Sequence, residues 1–241
     1  MVKTMAVPVL ERQDCERLRE ALETGDGVRH ETALGGFVVE GQARHARLVL
    51  CHGAGAGHES KFLARLRERL AACGIQVVAL EFGYMATMRK EGRRRPPPKI
   101  DRLVTELDQW YRAVTALGAE TPLWLGGKSM GGRVASLLAT RVEVAGLILC
   151  GYPFHPPGKP THLRLDHWPE IRCPLLLLQG TRDPFGRREE IEGYCLPTQT
   201  ECHFLDGGDH DWQAPKRHAR TQSTLIDEAV GHVARRLGAS E

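Results

Sequence analysis

The chain has 241 residues, of which 41% are hydrophobic, which is enough for one domain with a full core. Its 33 basic and 30 acidic residues leave a formal net charge of +3, which does not favour nucleic acid or a membrane surface as a partner. The seven cysteines are an odd number without a C-x-x-C pair, and no apolar run is long enough for a signal peptide or a membrane span. We therefore expect a cytoplasmic protein with reduced cysteines.

The first predicted element is an N-terminal helix. The run LERQDCERLREALETG at residues 10–25 is predicted to form an extra helix. We expect this helix to pack on its own domain rather than to make an oligomer contact. The predicted organisation is therefore a mainly helical N-terminal extension at residues 1–30, followed by a single domain at residues 31–241.

Short apolar runs rich in valine, isoleucine and leucine follow, separated by longer segments with helical periodicity. Runs of this kind are typical of strands that are buried on both faces of a sheet. Such strands are predicted at residues 46–51, 75–81, 122–126, 145–150, 174–179 and 201–205, with residues 36–40 as an antiparallel edge strand. Helices with one apolar stripe are predicted within residues 59–73, 99–117, 131–141 and 221–237.

The alternation of strands and helices predicts the fold class. Strands connected by helices imply right-handed crossovers, and hence an α/β protein with an open, mostly parallel sheet and helices on both faces. One segment has a biased composition, RKEGRRRPPPK at residues 89–99. Its three consecutive prolines favour an extended surface loop.

The residues directly after the predicted strands are the candidates for chemistry. In an open α/β sheet, ligands bind beyond the carboxyl ends of the strands. The segments at these ends are polar and rich in glycine: HGAGAG from His52, GKSMG from Gly127, GTRD from Gly180 and GGDHD from Gly207.

The segment GKSMG has the pattern G-x-S-x-G between a predicted strand and a predicted helix. This pattern is typical of a sharp turn that lifts the Ser129 hydroxyl above the sheet and aims a helix N-terminus, near Met130, at developing negative charge. A phosphate-binding G-x-x-x-x-G-K-S loop is excluded, because it would need glycine where Pro122 stands. Taken alone, the pattern is also compatible with a tight turn that has no chemistry.

Two later residues complete a catalytic pattern. Asp183 and His210 follow later predicted strands, in the order serine, acid, histidine that this topology requires. In a serine hydrolase, Ser129 attacks an acyl carbon, and His210 takes its proton and returns it to the leaving group. Asp183 would hold the imidazole and stabilise its charged form.

The acid partner has alternatives next to His210 in the sequence. Asp206, Asp209 and Asp211 crowd His210, but residues so close on a tight turn rarely reach the imidazole in the needed geometry, so Asp183 is preferred. A metal site in the same turn lacks recognisable ligand spacing, so we expect a solvated turn and no metal. The residues considered for that site are His203, Asp206, Asp209 and His210.

Over residues 36–237 these motifs resemble those of the α/β-hydrolase superfamily. The strings HGAGAG, GKSMGG, GTRDPFG, GGDHDW and EGRRRPPPK are similar to those of the small, lidless dienelactone-hydrolase-like group, which includes the testis-expressed and NSL-complex-subunit hydrolase-like proteins. The resemblance implies an enzyme without a cofactor. It also implies Ser129, Asp183 and His210 as the triad, and an oxyanion hole from the backbone amides of Met130 and of Ala54 or Gly55.

Several positions near the serine need separate interpretation. Dienelactone hydrolases proper use cysteine at the elbow, so their substrate cannot be transferred to a chain with Ser129. The preceding Lys128 is expected to pair with a carboxylate, with Glu81 as the candidate. A catalytic dyad of Ser129 and Lys128 is not expected, because adjacent side chains on a sharp turn point apart. His52 is expected to support the oxyanion loop by hydrogen bonding rather than to act as a base.

The substrate region is predicted to be open. Residues 151–173, where this superfamily commonly inserts a lid, are too few for a helical lid, which disfavours a lipase that buries a long acyl chain. The candidate substrate contacts are Tyr152 and the basic-loop residues Arg93, Arg94 and Arg95. Clustered guanidinium groups would bind a carboxylate or phosphate of an anionic ester, although a solvated loop is the alternative.

Two classes of function remain after these steps. The first is a serine hydrolase, a carboxylesterase or dienelactone-hydrolase-like enzyme, that cleaves small polar esters through an acyl-serine intermediate. The second is a catalytically silent binding or scaffold protein on the same fold, favoured by the basic proline-rich loop and the N-terminal segment. The enzyme is preferred, because a pure binding module has no reason to keep a serine, an acid and a histidine at one sheet edge.

Overall fold

The central feature of the fold is one mixed sheet. The computed structural model describes residues 9–118 and 120–239. The strands in this part of the chain are β1 (Asp26–Glu31), β2 (Gly36–Glu40), β3 (Ala46–Cys51), β4 (Ile75–Leu80), β5 (Leu123–Lys128), β6 (Gly146–Cys150), β7 (Leu175–Gly180) and β8 (Thr200–Leu205). They lie in the order β1-β2-β4-β3-β5-β6-β7-β8. β2 is antiparallel to both of its neighbours, and the other pairs are parallel.

Helices cover both faces of this sheet. They are α1 (Arg12–Thr24), α2 (Lys61–Ala72), α3 (Gly83–Glu91), α4 (Ile100–Leu117), α5 (Met130–Leu138), α6 (Arg188–Ile191) and α7 (Gln222–Arg236). α1, α4 and α5 contribute to one apolar cluster, and α2 and α7 contribute to another. No helix in the described ranges is both long and apolar enough to cross a membrane.

The two clusters meet along the buried strands. In β3, Leu48 and Leu50 belong to the cluster of α2 and α7, whereas Val49 and Cys51 belong to the opposite cluster. All four side chains are almost inaccessible to solvent. Because successive side chains of a strand point to opposite faces, an unbroken apolar run is what a sheet covered on both sides requires.

The structure confirms the predicted fold class and corrects its edge. The strands predicted from the apolar runs form within one or two residues of the expected bounds. Residues 36–40 are antiparallel as expected, but they are not the edge strand, because β1 pairs outside them. β1 crosses the expected boundary at residue 30, and α1 packs Leu18 and Leu22 into the core of the same domain. The predicted loop at residues 89–99 begins as the last turn of α3 and becomes extended after Gly92.

The connection after β6 carries no helical lid. Residues 151–173 contain a single short 3₁₀ turn, Trp168–Glu170. Aromatic rings pack within this connection, with the ring centroid of Tyr152 5.0 Å from those of Phe154 and Trp168. Phe154 also packs on Tyr194 outside the connection, with the centroids 5.4 Å apart. The carboxyl edge of the sheet is therefore left open.

A buried amide joins α1 to the sheet. Gln76 of β4 is inaccessible to solvent, and its Nε2 donates to the carbonyl oxygens of Leu22 at 2.8 Å and Gly41 at 2.9 Å. Its Oε1 accepts from Nε of Arg47 at 2.6 Å. Since a buried polar group without a partner is costly, these bonds hold the N-terminal segment in place.

We expect Gln76→Ala to lower the free energy of unfolding by about 2–5 kcal/mol, because it leaves buried carbonyl and guanidinium groups unpaired. Gln42→Ala is the matched control. Gln42 also donates to two carbonyl groups at the end of α1, those of Glu23 and Thr24, but it is exposed. Its loss should cost less than about 1 kcal/mol in urea unfolding followed by circular dichroism. Equal costs for the two variants would contradict the anchoring role.

Candidate active site

The turn at Ser129 brings β5 directly into α5. Ser129 has φ 52° and ψ −116°, a region that residues with side chains rarely adopt. The turn is tight enough to press the following glycine against β3, since a Cβ on Gly131 would lie 2.5 Å from the carbonyl oxygen of Cys51. A Cβ on Gly127 would lie 2.5 Å from the backbone of Gly131. The glycines of the pattern are therefore required by this close approach.

His210 reaches the serine from the turn after β8. Its Nε2 lies 2.9 Å from Oγ of Ser129, and its ring packs on Phe185 with the centroids 4.3 Å apart. The turn passes close over the end of β7, because a Cβ on Gly180 would lie 2.3 Å from the carbonyl oxygen of Gly208. Glycine at the end of β7 thus allows the histidine to approach the serine.

Asp183 is the acid that contacts His210. Its Oδ2 lies 2.8 Å from Nδ1 of His210, and the carboxylate is inaccessible to solvent. The backbone amide of Phe185 donates to Oδ1 at 2.9 Å, and Nε2 of Gln179 donates to Oδ2 at 3.1 Å. Since an ionised carboxylate only accepts, Nδ1 of the histidine carries the proton and Nε2 is free to accept one from the serine.

The other carboxylates near His210 have different partners. Asp206 pairs with His218, and Oδ1 of Asp209 accepts from the backbone amides of residues 211 and 213. His203 contacts Glu201, so the four residues considered for a metal do not converge. Within the described ranges, no group of three or more histidine, cysteine or acidic side chains could hold a metal ion.

Two backbone segments that border the serine cavities carry candidate oxyanion donors. Met130 is the first residue of α5, and Ala54 and Gly55 lie in the loop after β3 and line the same cavity as Ser129. In the part of the chain that the structure describes, the amides of Met130 and Ala54 donate to no protein acceptor. Free amides at a helix start and in a neighbouring loop are the donors that a developing oxyanion requires.

His52 supports this loop from beneath. Its Nε2 accepts from the backbone amide of Phe82 at 3.0 Å, so its Nδ1 carries the proton and donates to the carbonyl oxygen of Gly53 at 2.7 Å. Burial lowers the pKa of His52 from 6.5 to about 4, although the hydrogen bond to Gly53 and the charge of Glu81 oppose this shift. The ring is therefore a neutral brace for the loop at physiological pH.

The ammonium group of Lys128 lies next to the candidate triad. Its Nζ pairs with Oδ1 of Asp211 at 3.3 Å, so the expected partner Glu81 is wrong. Glu81 instead binds Arg29 at 2.7 Å and Arg89 at 3.1 Å. Burial lowers the pKa of Lys128, whereas the negative charges of Asp211 and Asp183 oppose the shift. The lysine thus adds positive charge beside the buried carboxylate of Asp183.

Two cavities meet at Ser129. The larger has a volume of about 600 Å³ and is lined by His210, Lys128 and Asp211 as well as by residues 53–56 of the loop after β3. The smaller has a volume of about 360 Å³ and extends from Met130 towards the proline-rich segment. A molecule bound across the serine can therefore place one part in each cavity.

Comparison with known proteins identifies the family of this site. The sequence model of a family described as an alpha/beta hydrolase domain matches residues 44–237. The chain belongs to this family. The resemblance to the α/β-hydrolase superfamily is thus confirmed.

Solved structures share the α/β-hydrolase fold over most of their length. An esterase from Pyrococcus furiosus is 17% identical with a TM-score of 0.66, covering 88% of this chain and 90% of that chain. A serine hydrolase without a lid from Xanthomonas campestris is 21% identical with a TM-score of 0.64, covering 87% and 93%. Dienelactone hydrolase from Anabaena variabilis is 18% identical with a TM-score of 0.61, covering 81% and 88%. At these identities, the likeness shows the fold.

The predicted arginine clamp lies away from the serine in this α/β-hydrolase. Arg93 and Arg94 line a separate cavity of about 380 Å³ together with Glu59 and Glu81, and that cavity does not contain Ser129. Arg95 is hydrogen bonded to Glu91, four residues earlier in the chain. Pro97 and Pro98 of the same loop line the smaller cavity together with Ser129, so the structure places the prolines, and not the expected arginines, beside the serine.

Tyr152 is also not positioned to touch a substrate. Its side chain is inaccessible to solvent and lies among the core aromatics, and its hydroxyl donates to the carbonyl oxygen of Arg164 at 2.8 Å. The expected substrate contact is therefore replaced by a structural one. The tyrosine holds the backbone of Arg164 beside the smaller cavity.

Three polar residues of the site were missed in the sequence. Gln179 lies near the end of the buried strand β7 and donates to Asp183. The sequence signal that could have indicated it is a polar residue at the end of the apolar run PLLLLQ. Arg133 lies in the first turn of α5, four residues after Ser129, and lines the same small cavity as the serine. Arg164 lies in the connection after β6, where no periodic pattern indicates a position.

The unusual backbone conformation of Ser129 predicts different stabilities for two variants at this position. Ser129→Gly and Ser129→Ala both remove the hydroxyl, but glycine alone adopts this conformation without strain. We expect the glycine variant to be more stable than the alanine variant by about 1–2 kcal/mol in urea unfolding. Elsewhere glycine is usually the less stable of the two, so an alanine variant of equal or greater stability would show that the turn is not strained.

The neutral state of His52 makes a prediction about pH. The unfolded chain binds a proton below pH 6.5, whereas the folded chain resists protonation until about pH 4. The contribution of this histidine to the free energy of unfolding is therefore fully present above pH 6.5. It falls by about 3 kcal/mol as the pH is lowered to about 4.

We expect His52→Gln to flatten the fall in the free energy of unfolding between these pH values, measured by urea titrations at several pH values. His162→Gln is the control, since His162 is exposed. If the curves of the native chain and of His52→Gln run parallel, the histidine is not the group that resists protonation.

Proposed function

We propose that this chain is a serine hydrolase that cleaves small polar esters through an acyl-serine intermediate on Ser129. The observation that carries the proposal is the continuous hydrogen-bonded chain from the serine through His210 to the buried Asp183, with distances of 2.9 and 2.8 Å. A serine is a weak nucleophile unless an adjacent base takes its proton. A tight turn that served only packing would not need such a base.

In the first half of the proposed reaction, Oγ of Ser129 attacks the acyl carbon while its proton passes to Nε2 of His210. The imidazole becomes positively charged, and Asp183 stabilises that charge from the other ring nitrogen. The carboxylate is held in place by the Phe185 amide and by Gln179, so it needs little rearrangement as the charge develops. The histidine then gives the proton to the departing alcohol.

The negative charge on the substrate oxygen is assigned to the two free amides. Met130 offers its amide at the N-terminus of α5, where the helix dipole also favours negative charge. Ala54 offers its amide from the loop that His52 braces, with Gly55 as the alternative donor. One such donor is worth about 10²- to 10³-fold in rate in related chemistry.

In the second half, water attacks the acyl-serine with His210 acting again as the base, which releases the acid and restores the serine. The surroundings support small polar esters as substrates. The larger cavity is open and carries Lys61, Gln213 and Gln222 on its walls, and the short connection after β6 provides no cover for a long acyl chain. No described step requires a cofactor.

The test of this proposal is the mass of the intact protein after treatment with a fluorophosphonate, which traps an activated serine. We expect one adduct on the native chain and none on Ser129→Ala or His210→Ala. Ser60→Ala is the matched control, because Ser60 lines the same cavity but its hydroxyl caps α2 instead of contacting a histidine. That variant should keep the adduct.

A folded native chain that gives no adduct would contradict the hydrolase proposal. The result would favour the alternative in which the fold serves as a binding or scaffold protein. Folding is checked on each variant by circular dichroism, so that loss of the adduct is not mistaken for loss of structure.

A further inference from the structure

The smaller cavity combines apolar walls with two guanidinium groups. Arg133 of α5 and Arg164 of the connection after β6 are its charged lining residues. Its volume of about 360 Å³ lies at the lower end of the range for small-molecule pockets. The apolar walls are formed by Pro97, Pro98, Ile100, Leu103, Pro153 and Phe185.

Neither guanidinium group is neutralised by the protein. Among the described residues, no carboxylate forms an ion pair with Arg133 or Arg164, although most other half-buried arginines of the chain have such a partner. Nε of Arg133 is buried and has no hydrogen-bond partner in the part of the chain that the structure describes. Arg164 donates one long bond, of 3.4 Å, to the carbonyl oxygen of Pro153. Donors of this kind are normally paired when they are half-buried.

The two positive charges also act on each other. Burial, followed by the positive charge of Arg133, lowers the pKa of Arg164. The fold nevertheless holds the second arginine in place, since its backbone amide donates to the carbonyl oxygen of Phe154 at 2.8 Å and its own carbonyl accepts from Tyr152. A pair of like charges fixed beside an apolar cavity is suited to binding an anion.

The position of the histidine tells which half of an ester would enter this cavity. His210 lines the larger cavity and gives its proton to the leaving alcohol, so the alcohol half lies there. Met130, a proposed oxyanion donor, lines the smaller cavity together with the serine. The acyl half therefore extends from the serine between the prolines towards the two arginines.

We propose that Arg133 and Arg164 bind a carboxylate at the far end of the acyl chain, so that the substrates are half-esters of short dicarboxylic acids. This inference rests on the proposed hydrolase function. It assigns anion recognition to α5 and the connection after β6, instead of to the basic loop at residues 93–95. The apolar walls would contact the methylene groups between the ester carbon and the carboxylate.

The test compares two esters that have the same leaving group. The p-nitrophenyl half-ester of glutaric acid carries a carboxylate where p-nitrophenyl pentanoate carries a methyl group. We expect the native chain to have a kcat/KM at least about tenfold higher for the glutarate ester, after subtraction of the rate with Ser129→Ala. Arg133→Gln and Arg164→Gln should each lower this value by about 10- to 100-fold, and change that for pentanoate by less than about threefold.

Two controls make the result specific. Arg94→Gln removes a guanidinium group from the neighbouring cavity and should leave both esters unaffected. The second control uses 4-acetoxybenzoate and phenyl acetate, a pair in which the carboxylate lies on the leaving group. Arg133→Gln should not weaken turnover of 4-acetoxybenzoate relative to phenyl acetate. If it does so as strongly as for the glutarate ester, the assignment of the cavity to the acyl half is overturned.

A binding measurement separates this inference from the hydrolase proposal. Glutarate, the acid product, is titrated calorimetrically into Ser129→Ala and into the same variant carrying Arg133→Gln. We expect binding to the first and at least tenfold weaker binding to the second, whether or not any ester is cleaved. Cleavage of both p-nitrophenyl esters at equal rates would overturn the anion site and leave the hydrolase proposal standing. Arginine-dependent binding of glutarate without cleavage of either ester would overturn the hydrolase proposal and leave the anion site standing.

Discussion

The contact between the start of α5 and the end of β3 is the constraint on which the candidate site depends. Gly131 lies so close to Cys51 that no larger residue fits, and Ser129 adopts its unusual backbone conformation in the same tight turn. In the same turn, the Met130 amide at the start of the helix donates to no acceptor among the described residues. One packing contact thus exposes the hydroxyl and directs an amide to the space beside it, before any other catalytic group is considered.

The electrostatics of the site follow from burial. Asp183 is removed from solvent, which would be unfavourable for a lone carboxylate, but three donors and the nearby ammonium of Lys128 compensate its charge. His52 differs from Asp183, because burial keeps its imidazole neutral. Its two ring nitrogens then act as one donor and one acceptor. The site therefore holds one buried group charged and another uncharged, as their different tasks require.

Most of the fold could be predicted because buried parallel strands have a strong sequence pattern. β3 contains the apolar run LVLC and β7 the apolar run LLLL, and the residues that follow such strands had to meet at one edge. β1 was missed because its sequence DGVRHE is polar and half-exposed, as an edge strand can be. α3 was missed because its short sequence includes part of the basic run that indicated a loop.

The site was predictable to the extent that it follows the strands. Ser129 directly follows β5, whereas Asp183 and His210 lie in the turns after β7 and β8. The structure brings the three side chains together. Side chains on irregular connections were not predictable in the same way. The path of residues 92–99 and of 151–173 depends on tertiary packing. The sequence therefore favoured Arg93 and Arg94, which line a different cavity, and gave no position for Arg164.

The placement of Arg133 on the helix that begins after Ser129 has a consequence for how chain length would be sensed. The Arg133 amide donates to the Ser129 carbonyl at 3.1 Å, so the backbone of the serine is fixed to the first turn of the helix that carries the arginine. Four residues of α-helix span about 6 Å along the axis. This fixed spacing would then select for chain length. An acyl chain of matching length is held at both ends, while shorter or longer homologues lose one contact.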